Sequence, residues 1–127
     1  MTDLLHSEIT GTVLECFFKV YNSLGYGFLE KVYERALIIE LRQAGLQCSV
    51  QYPIKVYYEG EVVGDYFADI MVERKVIVEL KAADALCEEH EFQLVNYLKA
   101  TDIEVGLLLN FGKKPQFKRK AFSNNRN

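Results

Sequence analysis

The chain has 127 residues, half of them apolar, which is enough to bury one core and too few for two ordinary domains. Its formal net charge of -3 gives no general attraction to polyanions. No run of about 18 apolar residues occurs, and no basic stretch precedes an apolar one near Met1, so the chain reads as one domain, neither secreted nor membrane-spanning, with the cytoplasm as its expected setting.

The first predicted helix runs from Ile9, where Val13, Cys16, Phe17, Val20 and Leu24 recur at steps of three and four, and Gly25 stops it. A second is predicted over 28–44 from Leu29, Val32, Tyr33, Ala36, Leu37 and Leu41, ending at Gly45. After Pro53 the pattern changes to alternation, with Ile54, Val56 and Tyr58 on one face, up to a turn at Glu59-Gly60. Residues 62–72 and 76–82 read as two further strands joined by Glu73-Arg74-Lys75, and both faces of each are largely apolar, which predicts a sheet covered on both sides. Asp84 is the expected N-cap of a third helix over 85–100, with Glu88 and Glu89 placed where the helix dipole favours negative charge. The run 105–111 is apolar except for Asn110, the pattern of a central strand. Strand, helix and strand in succession form a crossover that sets the last strand parallel to 76–82. The expected fold is α/β, a single mixed sheet flanked by helices in the order ααβββαβ.

Beyond Gly112 the chain reads as loosely specified, and Lys113, Lys114, Lys118, Arg119, Lys120 and Arg126 collect there. Such a tail is first a solvated terminus and second a phosphate contact. Cys16, Cys48 and Cys87, odd in number and widely spaced, read as reduced core thiols.

Chemistry concentrates on the two strands around Glu73-Arg74-Lys75. With a three-residue turn Val72 pairs with Val76, and counting back by twos sets Asp69 opposite Glu79, with Cβ atoms about 5 Å apart on one face. Lys81 projects on that face as well. The expected neighbours are Phe67, Met71 and Ile77, poor surroundings for two like charges. A hard divalent cation would offset both the repulsion and the desolvation, since magnesium takes one or two carboxylates plus waters and phosphates. A salt bridge of Lys81 to either acid, on a partly exposed sheet, is the competing reading. Glu30 shares its helical bearing with Leu37 and is expected to point inward. Leu86, His90, Gln93 and Tyr97 fall on one half-polar face of the third helix. His90 reads as a satisfied, partly buried imidazole, because no second His or Cys stands at ligand spacing.

Asp69 followed by Glu79-Leu80-Lys81 on the next strand resembles the D…(D/E)xK signature of the PD-(D/E)XK nucleases, whose restriction-endonuclease-like core has the order αβββαβ. Ala68 stands where the family name has proline. The segment from Gly27 to Tyr33 fits the G-x-x-E-x-x-Y pattern of a group of small proteins within that superfamily. Two further stretches, from His90 to Tyr97 and from Gly106 to Gly112, resemble its other signatures. The resemblance runs from about Ile9 to Gly112. It implies a Mg²⁺- or Mn²⁺-dependent nuclease in which Asp69, Glu79 and the Leu80 carbonyl hold the ion, Glu30 binds it directly or through water, and Lys81 orients the attacking water. Gln93 and Tyr97 would position the strand, by likeness to the Gln-x-x-x-Tyr pair of RecB-like nucleases. Nucleic acid, with DNA foremost, is the implied partner, no membrane is implied, and self-association of the chain is left open. The rival reading is a catalytically inactive relative that binds nucleic acid or a protein partner.

Overall fold

The structure is a computed structural model that describes residues 5–123. Helices α1 (Ser7–Leu24) and α2 (Glu30–Gln43) precede strands β1 (Cys48–Tyr58), β2 (Glu61–Val72) and β3 (Val76–Lys81). Helix α3 (Glu88–Lys99) and strands β4 (Val105–Phe111) and β5 (Pro115–Ala121) follow. The five strands form one sheet in sequence order, antiparallel at every pairing except β3 with β4, which are parallel. The expected α/β architecture with a mixed sheet between helices is therefore the one observed, and the crossover through α3 has the expected sense of pairing.

The amphipathic stripes decide how the layers stack. Val13, Phe17 and Val20 of α1 and Tyr33, Leu37 and Leu41 of α2 pack on the sheet face made by Ile70, Val72, Val76, Val78, Leu80, Leu107 and Leu109. Leu94, Tyr97 and Leu98 of α3 cover the other face over Met71, Ile77 and Leu108. Strands β3 and β4 are thus buried on both sides, which is why their sequence is continuously apolar. Each such side chain, fully buried, is worth about 1.5 to 3 kcal/mol.

Three boundaries differ from the sequence reading. Strand β1 begins at Cys48, ahead of Pro53, which pairs with Phe67 inside the strand. An edge strand tolerates proline because its missing N–H can face outward. The segment after Gly112 is not loose, for β5 pairs antiparallel with β4 from Pro115 opposite Phe111 to Ala121 opposite Val105. It is mostly exposed and carries Lys118, Arg119 and Lys120, so it lacks the apolar face that periodicity detects, while its lysines discourage further pairing at the edge. Helix α3 starts at Glu88 with Cys87 as N-cap, leaving Asp84 and Leu86 ahead of it. His90 Nδ1 accepts the Cys87 N–H at 3.3 Å, so the imidazole is satisfied locally.

All three thiols are free: Cys16 is buried, Cys48 is half-buried and packs against the core under α1 and α2, and Cys87 is exposed, so only Cys87 lies outside the core. No helix among the described residues is long and apolar enough to cross a membrane.

Candidate metal and nuclease site

Val72 pairs with Val76 as the short turn requires, and the ladder continues through Met71 with Ile77 and Ile70 with Val78. There it gives way to side chains. The Asp69 N–H donates to Glu79 Oε2 at 2.8 Å, and the Leu80 N–H donates to Asp69 Oδ2 at 2.8 Å. The two carboxylates thus fill the gap where β2 and β3 part, each accepting a backbone N–H that would otherwise lack a partner. Asp69 and Glu79 meet as the turn geometry implies, through bridging side chains and not as a ladder pair.

The parting has a local cause. Ala68 packs beneath α3 while Ile70 packs toward α1 and α2, although strict alternation would give both the same face. The neighbouring strand shows the same break: Val50 pairs with Ile70 and Tyr52 with Ala68, and between them Gln51 adopts φ 51. A left-handed residue without glycine is uncommon, and here it marks a kink with Asp69 across from it. One consequence corrects the expected surroundings. Ala68, in place of Phe67, joins Met71 and Ile77 in the cluster under α3, and Phe67 is exposed.

Glu79 is only 4% exposed. Burial, and after it the charge of Asp69, pushes its carboxyl up to about 8 against the opposing effects of the Asp69 N–H and Lys81, with Glu30 adding a smaller upward push. Lys81 is half-buried and makes no ion pair with either acid among the described residues, so the salt-bridge reading is not what the structure contains. Tyr97 of α3 is close enough that burial first, and then the charges of Glu79 and Asp69, hold its hydroxyl up at about 12. It therefore remains a proton donor beside the acids at any ordinary pH.

Glu30 is the first residue of α2 and is exposed, which corrects the expected inward orientation, though its charge still reaches Glu79. Its placement follows from the residues around it. Gly27 adopts φ 112, a conformation L side chains rarely take. The Tyr33 hydroxyl donates to the Gly25 carbonyl at 2.7 Å and accepts the Phe28 N–H at 3.2 Å. The Tyr33 ring stacks on Phe111 of β4 at 4.2 Å. Glycine, glutamate and tyrosine at this spacing thus tie the loop ahead of α2 to the central strand and set where the helix begins.

Asn110, noted in the sequence only as a break in an apolar run, and Glu34, which the sequence reading passed over, both carry structural weight. Buried Asn110 accepts the Ala83 N–H through Oδ1 at 2.9 Å and donates through Nδ2 to the Ala83 carbonyl at 3.0 Å. It clamps the chain just beyond Lys81, which is its register partner. Gly112 belongs to the same contact, since a Cβ there would lie 2.4 Å from the Ala83 carbonyl oxygen. A lone amide in an otherwise apolar strand was the available signal. Glu34, also buried, lies 3.4 Å from Gln51 Nε2 and 3.4 Å from Lys31 Nζ, linking α2 to the kink. Its signal was a charge on the apolar stripe with Leu37, Ile38 and Leu41.

The donor set suits a hard cation. Two carboxylates and a nearby strand carbonyl match magnesium, which keeps several waters. Among the described residues no third His, Cys, Asp or Glu joins the two acids in a group suited to a metal. Between α3 and the β1–β2 hairpin lies a cleft of about 740 Å³ whose walls include Gln93 and Tyr97. Those two residues do share a face, as expected, but Asp69, Glu79 and Lys81 do not line this cleft.

Residues 7–120 match the sequence model of the PD-(D/E)XK nuclease superfamily. No curated protein matches the sequence. Among solved structures, the crystal structure of SSO0001 resembles this fold with a TM-score of 0.59 at 17% identity, over 75% of this chain and 50% of that one. The chain thus spans half the length of that structure's chain, and at this identity the likeness is one of fold. With the family match running from α1 into β5 and the α/β core shared, the chain belongs to the PD-(D/E)XK nuclease superfamily.

Proposed function

We propose that the protein is a Mg²⁺- or Mn²⁺-dependent nuclease of the GxxExxY group that hydrolyses phosphodiester bonds in nucleic acid, with DNA as the foremost substrate. The observation that carries this reading is the pair of carboxylates set into the parting of β2 and β3, where Asp69 and Glu79 each hold a backbone N–H of the opposite strand. A fold that needed only a sheet would continue the ladder there with apolar residues at lower cost.

Asp69, Glu79 and the Leu80 carbonyl would hold the ion, with Glu30 acting through water from the helix start. The ion, when bound, supplies Lewis acidity toward the scissile phosphate and a water of lowered pKa. The chain's own groups do the rest. The backbone hydrogen bonds fix one oxygen of each carboxylate, which limits how the other can turn. Lys81, tied to neither acid, is left to orient the attacking water and to offset charge that develops on the phosphate. Gln93 and Tyr97 offer an amide and a protonated hydroxyl to the strand.

One observation favours the rival, a binding module without catalysis: at neutral pH a carboxyl that titrates near 8 is protonated, so the pair is tolerable without metal. The deciding experiment incubates purified protein with single-stranded, duplex and branched DNA and with RNA, with Mn²⁺ or with EDTA. Metal-dependent cleavage, abolished in Asp69→Asn and Glu79→Gln, is the expected result. Binding with no cleavage of any substrate in Mn²⁺ would leave the rival.

A further inference from the structure

The cleft between α3 and the β1–β2 hairpin has contents that the cleavage chemistry does not use. Tyr57 and Tyr66 come from the hairpin side and Phe92 from α3, and these rings are 61%, 48% and 62% exposed. Three aromatic rings left in water around one concavity form an apolar patch of a kind that soluble surfaces usually keep for a ligand. On the helix wall Gln93 and Asn96 stand one turn apart, each with an amide donor and acceptor. Charge in the cleft is mixed, since Glu89 and Lys99 both line it.

We propose that this cleft is a base-stacking subsite that takes unpaired nucleobases of a single-stranded nucleic acid; this deepens the nuclease reading and rests on it. Continuity with the acids comes from Tyr97, which walls the cleft, lies 5.8 Å from the Tyr66 ring, and belongs to the packed cluster under α3 with Ala68, next to Asp69, and Ile77, two residues before Glu79. A strand whose base sits in the cleft therefore brings its backbone past the carboxylates. The occupant is a base and not a phosphate run, because Glu89 and Lys99 together give no net attraction to a polyanion, whereas exposed rings and amides offer a π-face and hydrogen bonds to a base edge. In a duplex both of those base surfaces are occupied by stacking and pairing, so a single strand fits the chemistry and a duplex does not. Ribose and deoxyribose strands share it.

The test measures binding without cleavage. Asp69→Asn protein in EDTA is titrated into fluorescein-labelled oligomers by anisotropy: a DNA strand, the same RNA strand, the DNA strand with abasic sites, and the duplex. The DNA or RNA strand should bind about tenfold or more tightly than the abasic strand and the duplex, and Phe92→Ala or Tyr57→Ala should erase that difference. Phe92→Tyr, which keeps a ring, should restore it. Both positions are exposed, so melting curves of the alanine variants should match the parent's. Equal affinity for base-bearing and abasic strands, or affinities untouched by the ring deletions, would overturn the inference and point to another occupant such as a protein segment. If Phe92→Ala cleaves every substrate at the native rate, the cleft fails and the nuclease reading stands; base-dependent binding in a chain with no metal-dependent cleavage would overturn that reading instead.

Discussion

At the scale of single residues, Glu79 makes the pH behaviour of the protein a readout of the site. Its carboxyl titrates near 8 in the fold and near the ordinary 4.5 once unfolded. Between those values the native state binds a proton that the unfolded chain has released, so this group's contribution to stability is full below 4.5 and lost as pH rises toward 8. The slope at its steepest is about 1.4 kcal/mol per pH unit. Thermal melts in EDTA should therefore fall across that window, and Glu79→Gln should flatten the fall. Magnesium needs the carboxylate, so its stabilising effect should grow over the same window and level off above it. Asp69→Asn refines the test. Its amide oxygen can still accept the Leu80 N–H, so only the charge is lost. Near pH 7 the fold has already neutralised Glu79 and the variant should gain little in EDTA, whereas at pH 9, where Glu79 is ionised, it should melt above the native protein. It should lose most of the magnesium response at every pH. A native melting temperature that rises between pH 5 and 8 in EDTA, with a flat magnesium response, would show that the acids are not a metal site.

At the scale of elements, the path of β3 beyond Lys81 depends on its neighbour β4. Asn110→Ala removes both bonds to Ala83, leaving a backbone donor and acceptor to find solvent, at a cost of about 1 to 3 kcal/mol. Cleavage should fall further than this loss of stability explains, because the segment that follows Lys81 is released; a variant with a lowered melting temperature and native activity would make Asn110 merely structural. The same comparison of elements shows what a sequence can disclose. Helices α1 and α2, strands β2 to β4 and the parallel crossover were legible because each buries a continuous stripe or both faces, and burial writes itself into periodicity. Asp69 and Glu79 were legible because a three-residue turn fixes register. Strand β5 was not, since an edge strand held by backbone bonds needs no apolar pattern. The kink at Gln51 and Asp69 was equally silent: counting by twos assumes unbroken alternation, which is why Phe67 is expected where Ala68 packs. The exposure of Glu30 was hidden because the first residue of a helix is bounded by the preceding loop, and the helical wheel knows nothing of that loop.

At the scale of the whole molecule, the question is how a chain of net charge -3 would engage the polyanion proposed as its substrate. The basic residues near the C-terminus look in sequence like one patch, but the fold divides them. Lys120 Nζ lies 2.6 Å from Glu91 Oε1 and joins β5 to α3. Arg119 Nη2 donates to the Leu5 carbonyl at 2.7 Å. Arg126 lies outside the described residues. What remains for solvent is Lys113, Lys114 and Lys118, all three exposed. Cutting the chain at Lys113 would strip β5 from β4 and bare the edge of a buried strand, so a truncation would report on folding and not on charge. Substitution keeps the strand. If these lysines neutralise phosphates, changing all three to glutamine should flatten the slope of log affinity against log salt by about 0.7 to 0.9 for each phosphate no longer neutralised, with the melting temperature unchanged. Lys120→Gln should do the reverse, lowering the melting temperature slightly with little effect on the salt slope. Binding of single-stranded DNA measured over a salt series in EDTA decides the matter. A slope indifferent to the triple substitution would make β5 an edge strand whose lysines only discourage pairing, and would leave the proposed aromatic cleft to hold the strand.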